Sequence, residues 1–536
     1  SRRCDAHNLR DFFNRDGGFE ISKICFKVKT ACDDKKVVYN SEDLNVLFIM
    51  TDDLNCDLGS YGHPQVLSPN IDKLAENGVL FLNAHNQFPL CGPSRTSLMT
   101  GMYSNQTKHT KLDVDVRQTI PDVVTLGQRF KQRGYTSVRI GKIYHYGNPG
   151  TIGTSGAQDD ISTWTYTINP YGRDKEEEYK INTLKPRQYG GTLSWLAADG
   201  VDEEQTDGIG ASEAIEQLEK FSKNGKKFFL AVGMYRPHTP FVAPKKYFDM
   251  YDQNEMEIPY SGSSDEYLNT LPEPAQASVR WKKDQIKLNN PEHNQLAKEI
   301  KEAYYATTTF VDAQIGRILK KLKKTGLDKN TIVVFTSDHG YHLGEHGHWQ
   351  KQTLFENSTR VPLIFSGPKV PIGLVSNSPV ELIDIYPTLT DLTKIETPSH
   401  VVGKSLVPIF KENDFKVRES ALTRWKASQH KKKFEGYSIK TERYRLTMWG
   451  ENGSDGFELY DHQNDPEELI NLANTIENKL ILDSLKDHIK FRISDAMKIP
   501  PGLGRQFEER PLHKEVNYTC LLYTSPSPRD QRGCGL

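Results

Sequence analysis

Three observations predict an α/β protein with a mainly parallel sheet flanked by helices, followed by a smaller α+β subdomain of antiparallel sheet plus helix. Short apolar runs alternate with helical patterns between about residues 45 and 408, as βα units do; the runs are strand-sized and read as buried; and from about residue 418 the pattern shifts to shorter alternating stretches. Buried strands are predicted over residues 45–50, 228–233, 331–336 and 361–365. Between them, residues 70–77 carry Ile71, Leu74 and Ala75 at helical spacing, and residues 212–223 carry Ala214, Ile215, Leu218 and Phe221 with Ser212 as N-cap. Residues 304–324 repeat the helical pattern with a Lys-rich outer face. Residues 159–207 are polar, rich in Trp and Tyr, and irregular, which predicts a long surface insertion near a site. Short strands over 436–440, 444–448 and 457–461 and a helix over 480–497 come last. These patterns divide the chain into an unassigned extension (1–44), a main domain (45–417), a C-terminal subdomain (418–519) and a tail (520–536).

At 536 residues the chain is several times the common domain size and can bury a large core. Hydrophobic content of 36% with 26% charged residues argues against wholesale disorder, collagen and coiled coil. Lys and Arg number 69 against 70 Asp and Glu, a net charge of -1, so the broad basic face that nucleic-acid binding requires is missing. No apolar run reaches the roughly 20 residues that cross a bilayer, and a soluble chain without a membrane span is expected. The chain starts at Ser1 without an initiator Met, and no signal segment precedes Cys4, which predicts a native start that is missing or processed. Residues 520–530 resemble the in-frame translation of a transposase sequencing adapter, so residues 520–536, with Cys520 and Cys534, are set apart from the fold. Of the seven Cys, this leaves Cys4, Cys25, Cys32, Cys56 and Cys91.

Two predicted strands end in acid. One runs into Thr51-Asp52-Asp53 and another into Ser337-Asp338-His339-Gly340, and the carboxyl ends of parallel strands share one sheet edge where such groups can converge. Carboxylates gathered in one cleft repel each other unless a cation lies between them, and a hard ion with oxygen ligands, such as Ca²⁺, suits the set. Helix capping is the alternative for a single Asp, and it accounts less well for a pair on one strand plus an Asp-His on another. The third piece is Cys91-Gly-Pro-Ser-Arg95, followed by Thr100-Gly101. A lone Cys is ordinarily a small core residue. This one lies just before Pro93 at the first turn of a predicted helix, where free N–H groups and the helix dipole favour an anion, and Arg95 one turn later adds a fork of donors. The reading is an oxyanion site that holds a reactive group. His342 and His346 have the i,i+4 spacing of a zinc pair, but Gly340, Gly344 and Gly347 argue against a helix, so the His342–His346–His348 loop reads as a wall of the pocket.

With these residues in order, the chain resembles the type I sulfatases. Cys91-x-Pro93-Ser94-Arg95 with Thr100-Gly101 matches that family's signature, and the other pieces follow: Asp52-Asp53, Gly141-Lys142-Ile-Tyr-His145, Arg236-Pro-His238-Thr-Pro-Phe241, Ser337 to Gly340, Gly344-Glu-His-Gly347 with Lys351, and Glu458 to Asp461 with Asp465-Pro466. The resemblance covers roughly residues 45–519 and is nearest the iduronate-2-sulfatase branch, which has His, as at His339, where Asn is commoner. It implies an alkaline-phosphatase-like fold and oxidation of Cys91 to formylglycine before folding, by the formylglycine-generating enzyme. It further implies one Ca²⁺ held by Asp52, Asp53, the modified Cys91, Asp338 and His339.

As the family implies, one hydroxyl of the hydrated aldehyde at Cys91 attacks sulfur, since a thiol would be trapped as a stable product. Arg95, Lys142 and Lys351 supply positive field around the sulfate oxygens, His238 protonates the leaving sugar oxygen, and His145 assists the release of sulfate. The implied substrate is a sulfated carbohydrate, in glycosaminoglycan degradation. Two other classes remain open: a phosphonate or phosphodiester hydrolase of the same superfamily, and an inactive sulfatase-derived binding protein, which would ordinarily have lost one of Cys91, Arg95, Asp338 or Lys351. Sequons at Asn105, Asn357, Asn452 and Asn517, and the even set Cys4, Cys25, Cys32 and Cys56, are compatible with glycosylation and disulfides. The resemblance favours a lysosomal or secreted destination.

Overall fold

Every residue of β1 (Asn45–Thr51) is buried, which is why its sequence is a continuous apolar run. It lies inside an eight-stranded sheet with β2 (Gly78–Phe81), β3 (Thr136–Gly141), β4 (Tyr166–Ile168), β5 (Phe228–Gly233), β6 (Thr331–Ser337), β7 (Leu363–Ser366) and β8 (Leu374–Ser376), in the order β8-β2-β7-β6-β1-β5-β3-β4. This computed structural model describes residues 44–509 apart from 155–157, 261, 280–281 and 430–431. Residues 1–43, with Cys4, Cys25 and Cys32, as well as Asn517 and the tail from 520, lie outside the described residues. Strand β7 runs antiparallel to both its neighbours, while the other pairings are parallel. It begins at Leu363 rather than 361 because Pro362 has no N–H to give the ladder.

Alternation along β1 feeds two cores. Leu47 and Ile49 pack with residues of α3 (Thr206–Asn224) and α4 (Asn294–Lys324), among them Leu218, Tyr304 and Ile315. On the opposite face Val46, Phe48 and Met50 pack with Leu98 and Met99 of α2 (Cys91–Thr100) and with Leu389 of α5 (Ile385–Leu392). The expected helix over 70–77 is α1 (Pro69–Glu76). Ser212 is not an N-cap: α3 starts at Thr206, and the Ser212 hydroxyl bonds back to Gly208 O at 3.0 Å. Gly208 is needed inside α3 because a Cβ there would lie 1.6 Å from Asp202 O. The insertion over 159–207 is not irregular throughout: it contributes β4 to the sheet edge and a strand, Ser194–Ala198, that pairs with Phe241–Pro244.

The smaller sheet is antiparallel and four-stranded, from β9 (Ala421–Gln429), β10 (Lys432–Lys440), β11 (Tyr444–Trp449) and β12 (Gly456–Asp461). α6 (Lys479–Met497) covers it. Strand β9 was not anticipated. Leu422, Ile439, Leu446, Leu459 and Ile489 share a core with Tyr103 and Ile383 of the main domain, and Arg418 pairs with Asp384 while Arg492 pairs with Glu381. Cys56 is unpaired among the described residues, and the others of the set compatible with disulfides, Cys4, Cys25 and Cys32, lie outside them. Among the described residues no helix is long and apolar enough to cross a membrane.

Candidate active site

Register brings the acids together. Thr51 of β1 pairs with Ser337 of β6, so the next residues, Asp52 and Asp338, leave the sheet side by side at its carboxyl edge. Asp53 then turns with φ of 65°, a left-handed conformation costly for a non-glycine residue. The turn is held from α4, where Tyr304 Oη donates to Asp53 O at 2.8 Å and accepts from Asn55 N at 2.9 Å. Asp53 N donates to Asp338 Oδ1 at 3.1 Å.

Cys91 opens α2, which is buried at every position, with Pro93 in its first turn. One turn on, Arg95 donates from Nε to Asp338 Oδ2 and from Nη2 to Asp52 Oδ1, both at 2.8 Å, and from Nη1 to the carbonyls of Lys142 and Ile143. Lys142, just past β3, donates to Asp52 Oδ2 at 2.5 Å. Both Asp52 oxygens are thus taken. Burial would raise this carboxyl, but Lys142, then His238 and Arg95, hold it well below the usual carboxylate range.

The Cys91 Sγ faces His339 Nε2 at 3.2 Å, Lys351 Nζ at 3.4 Å and Asp53 Oδ1 at 3.9 Å. His339 Nδ1 pairs with Gly340 O at 2.9 Å, which assigns its proton there and turns Nε2 into the cleft. Lys351 donates to both Asp53 oxygens, at 2.6 and 2.8 Å, and its neighbours Gln350 and Gln352 both have left-handed φ. One ligand atom each from Asp53, Cys91, Asp338 and His339 falls within 4.8 Å of the others. Asp52 stands outside that cluster. Burial pushes Asp53 up to about 7 despite Lys351, and Asp338 and Cys91 push His339 up to about 9 against burial; both shifts mark a place short of positive charge. This donor set fits a cation. With Cys91 as a thiol it is mixed; an oxygen-bearing side chain at 91 would make it the harder set that suits Ca²⁺.

His238 pairs through Nδ1 with Thr239 O at 2.5 Å, leaving Nε2 3.8 Å from Asp53 Oδ2. Its loop is held by Asp207 of α3, whose carboxylate accepts from Tyr235 N at 2.8 Å and Arg236 N at 3.0 Å. His145 has a buried Nδ1 without a hydrogen-bond partner among the described residues, and burial, then Lys142, pushes it down to about 3. Asp52, Asp53, Cys91, Arg95, Lys142, His145, His238, Asp338, His339 and Lys351 all gather at this edge, below a cleft of about 620 Å³.

The His loop is a hairpin, with His342–Leu343 paired to Trp349–Gln350. His342 meets Thr353 Oγ1, His346 meets Tyr267 Oη and stacks on Phe355, and His348 meets Lys351 O. All three rings are buried and held below the ordinary imidazole range, burial being the main cause. They pack on one another and on Phe355 and do not line the cleft, contrary to the reading of this loop as a wall of the pocket, because all three rings are turned into the interior; they gather no zinc-like cluster among the described residues. A second acidic group, Glu356, His462 and Glu468, already has Arg445 between its carboxylates. Tyr304 and Asp207 were not singled out in the sequence, and neither were Arg187 and Lys282, which line the cleft. Nothing in their local patterns marks them.

Comparison with known proteins agrees with this geometry. The family model described as "Sulfatase" matches residues 44–395, and one described as "N-sulphoglucosamine sulphohydrolase, C-terminal" matches residues 344–495. A sulfatase of Formosa agariphila is 36% identical, covering 87% of this chain and 90% of its own. The iduronate 2-sulfatase of Homo sapiens is 31% identical over 85% of this chain and 95% of its own. Among solved structures, a phosphonate monoester hydrolase from Silicibacter pomeroyi has a TM-score of 0.69 at 22% identity, covering 85% of this chain and 96% of its own, a likeness of fold.

Proposed function

The chain belongs to the sulfatase family of sulfuric ester hydrolases, and on that premise we propose that it removes sulfate from a sulfated glycan of the glycosaminoglycan kind, with a substrate like that of the iduronate 2-sulfatases. The observation that carries the reading is Cys91 at the start of α2, facing Asp53, Asp338 and His339 with Lys351 beside it. Converted to formylglycine, Cys91 would supply a hydrated aldehyde, an oxygen nucleophile that does not trap the product. A Ca²⁺ held by Asp53, Asp338, His339 and the converted Cys91 would polarise the sulfate.

The other residues divide the work. Lys351, poised between Asp53 and Cys91, presents its charge to the sulfate oxygens. Arg95 and Lys142 act through the carboxylates they orient, since their donors are directed at Asp52, Asp338 and backbone carbonyls. His238 Nε2 takes a proton when an anion enters and gives it to the leaving sugar oxygen. His145, with its unpaired Nδ1, is the neutral base that assists release.

Coexpression with the formylglycine-generating enzyme, mass spectrometry of residue 91 and assay on sulfated sugars and aryl sulfates test this reading. Conversion with sulfate release is expected; a converted protein that releases none would overturn it. Phosphonate and phosphodiester substrates assayed in parallel should be turned over far more slowly. For compartment, we infer the secretory route, with a lysosomal or extracellular destination. Asn452 lies in an exposed turn open to a glycan, whereas Asn105 is buried and donates to Tyr437 Oη at 2.8 Å. Glycosidase treatment of protein from a eukaryotic host should remove a glycan from Asn452 and none from Asn105.

A further inference from the structure

We propose that Arg236, through its ion pair with Asp174, is a positioning residue that holds His238 where the leaving sugar oxygen needs its proton; the inference rests on the sulfatase reading, with His238 as the acid. The segments this pair joins line the cleft, through His238, Asn148, and Lys175 with Glu178. Arg236 is 1% exposed, and each arm of its guanidinium serves a different segment. Nε donates to Val242 O at 3.2 Å, Nη1 to Asn148 Oδ1 at 3.3 Å and Nη2 to Asp174 Oδ2 at 2.7 Å. The first bond fixes the far side of the His238 loop, the second the segment after β3, and the third the insertion over 159–207.

Asp174 gives its other oxygen to the start of α3, where Oδ1 accepts from Thr206 N at 2.8 Å and from Thr206 Oγ1 at 2.6 Å. Asp207, the next residue of α3, accepts from the backbone N–H groups of Tyr235 and Arg236. Asp174, Arg236, Asp207 and Thr206 thus close a buried circuit that joins the insertion, the first turn of α3 and the His238 loop. On the other side of His238, Thr239 Oγ1 donates to Thr192 O at 2.9 Å and accepts from Ser194 N at 3.1 Å, both in the insertion. His238 directs Nδ1 at Thr239 O, within its own loop, so the placement of Nε2 follows the loop backbone. A lysine at 236 would keep the charge but could not serve three acceptors that match a planar fork. An asparagine at 174 must turn its oxygen to the two Thr206 donors, which leaves its NH₂ facing the Nη2 donor of Arg236.

The test is a double-mutant cycle on protein converted at Cys91, with kcat measured on a sulfated disaccharide and on an aryl sulfate with a good leaving group. Wild type is compared with Asp174→Asn, Arg236→Lys, His238→Gln and the double variant Asp174→Asn with His238→Gln. Asp174→Asn and Arg236→Lys are each expected to lower kcat about 30-fold on the disaccharide and about threefold on the aryl sulfate, which needs little help from an acid. In the His238→Gln background, Asp174→Asn should cost no more than about twofold on the disaccharide, because no acid is left to misplace. Equal losses on the two substrates in both single variants, or a loss that multiplies in full with that of His238→Gln, would make the pair a structural one and overturn the inference while leaving the sulfatase reading intact. A converted wild type inactive on both substrates overturns that reading, and the positioning role with it.

Discussion

Burial and the neighbouring Lys351 charge hold His238 well below the ordinary imidazole range, and its Nδ1 proton is already given to Thr239 O. Only protonation at Nε2 makes it an acid, so its worth depends on how much the leaving oxygen needs a proton. His238→Gln should lower kcat about 100-fold on a sugar sulfate and much less on an aryl sulfate with a good leaving group. Equal losses on the two would remove His238 from the acid role. Asp53 makes a second prediction. The free carboxyl ionises near pH ~4, but burial raises it to about 7 in the fold. The native state therefore keeps a proton that the unfolded chain has lost, and the stability from this group is present below about pH 4 and falls as pH rises through about 7. A cation bound beside Asp53, as proposed, would relieve that loss, so EGTA should lower Tm more at about pH 7.5 than at about pH 5 in thermal-shift measurements. Identical shifts would place the cation elsewhere.

The turn after β6 presents the Asp338-His339 pair, and Gly340 is what lets it close. Gly340 N donates to Ser358 O at 3.0 Å, and a Cβ on Gly340 would lie 2.0 Å from Asn357 O and 2.7 Å from Arg360 O, both backbone. Gly340→Ala should cost about 1–3 kcal/mol in urea unfolding and weaken cation binding, because His339 is oriented by Gly340 O. Gly191→Ala, whose Cβ meets nothing, should change stability by less than about 0.5 kcal/mol. Much of this was legible beforehand. Strands β1, β5 and β6 are continuous apolar runs, and the acids at the carboxyl ends of β1 and β6 announce themselves, as does Cys91 before Pro93. Strand β9 was hidden because Arg424, Lys426 and Gln429 interrupt its apolar residues. Asp52 lies apart from the cation cluster because Arg95 and Lys142 claim both its oxygens, an outcome of tertiary placement that no local pattern encodes. Tyr304 and Asp207 reach the site from helices distant in sequence, so their roles became visible only in the fold.

The small sheet and the catalytic edge are joined by charge. Arg445 of β11 is buried between Glu468 and Glu356, and Glu356 follows Lys351 on the same loop. Removing the cation would leave the buried Glu468 and the half-buried Glu356 carboxylates together, so Arg445→Met should cost about 3 kcal/mol, read as a lower Tm by calorimetry. Burial opposes ionisation of Glu356, yet Arg445 and His462 hold it well below its usual range. Its stabilising contribution is present above about pH 4.3 and is lost as pH falls further, which makes the wild type, more than the variant, sensitive to acid. The depth of Cys91 bears on the life of the molecule as well as its chemistry. At 1% exposure on a wholly buried helix, its thiol is open to a modifying enzyme only while the chain is still unfolded. If Cys91 is converted to formylglycine as proposed, maturation would be a race between oxidation and folding, and a molecule that folds first would be stranded as a well-formed but silent protein, so specific activity should follow the rate of synthesis as much as the amount made.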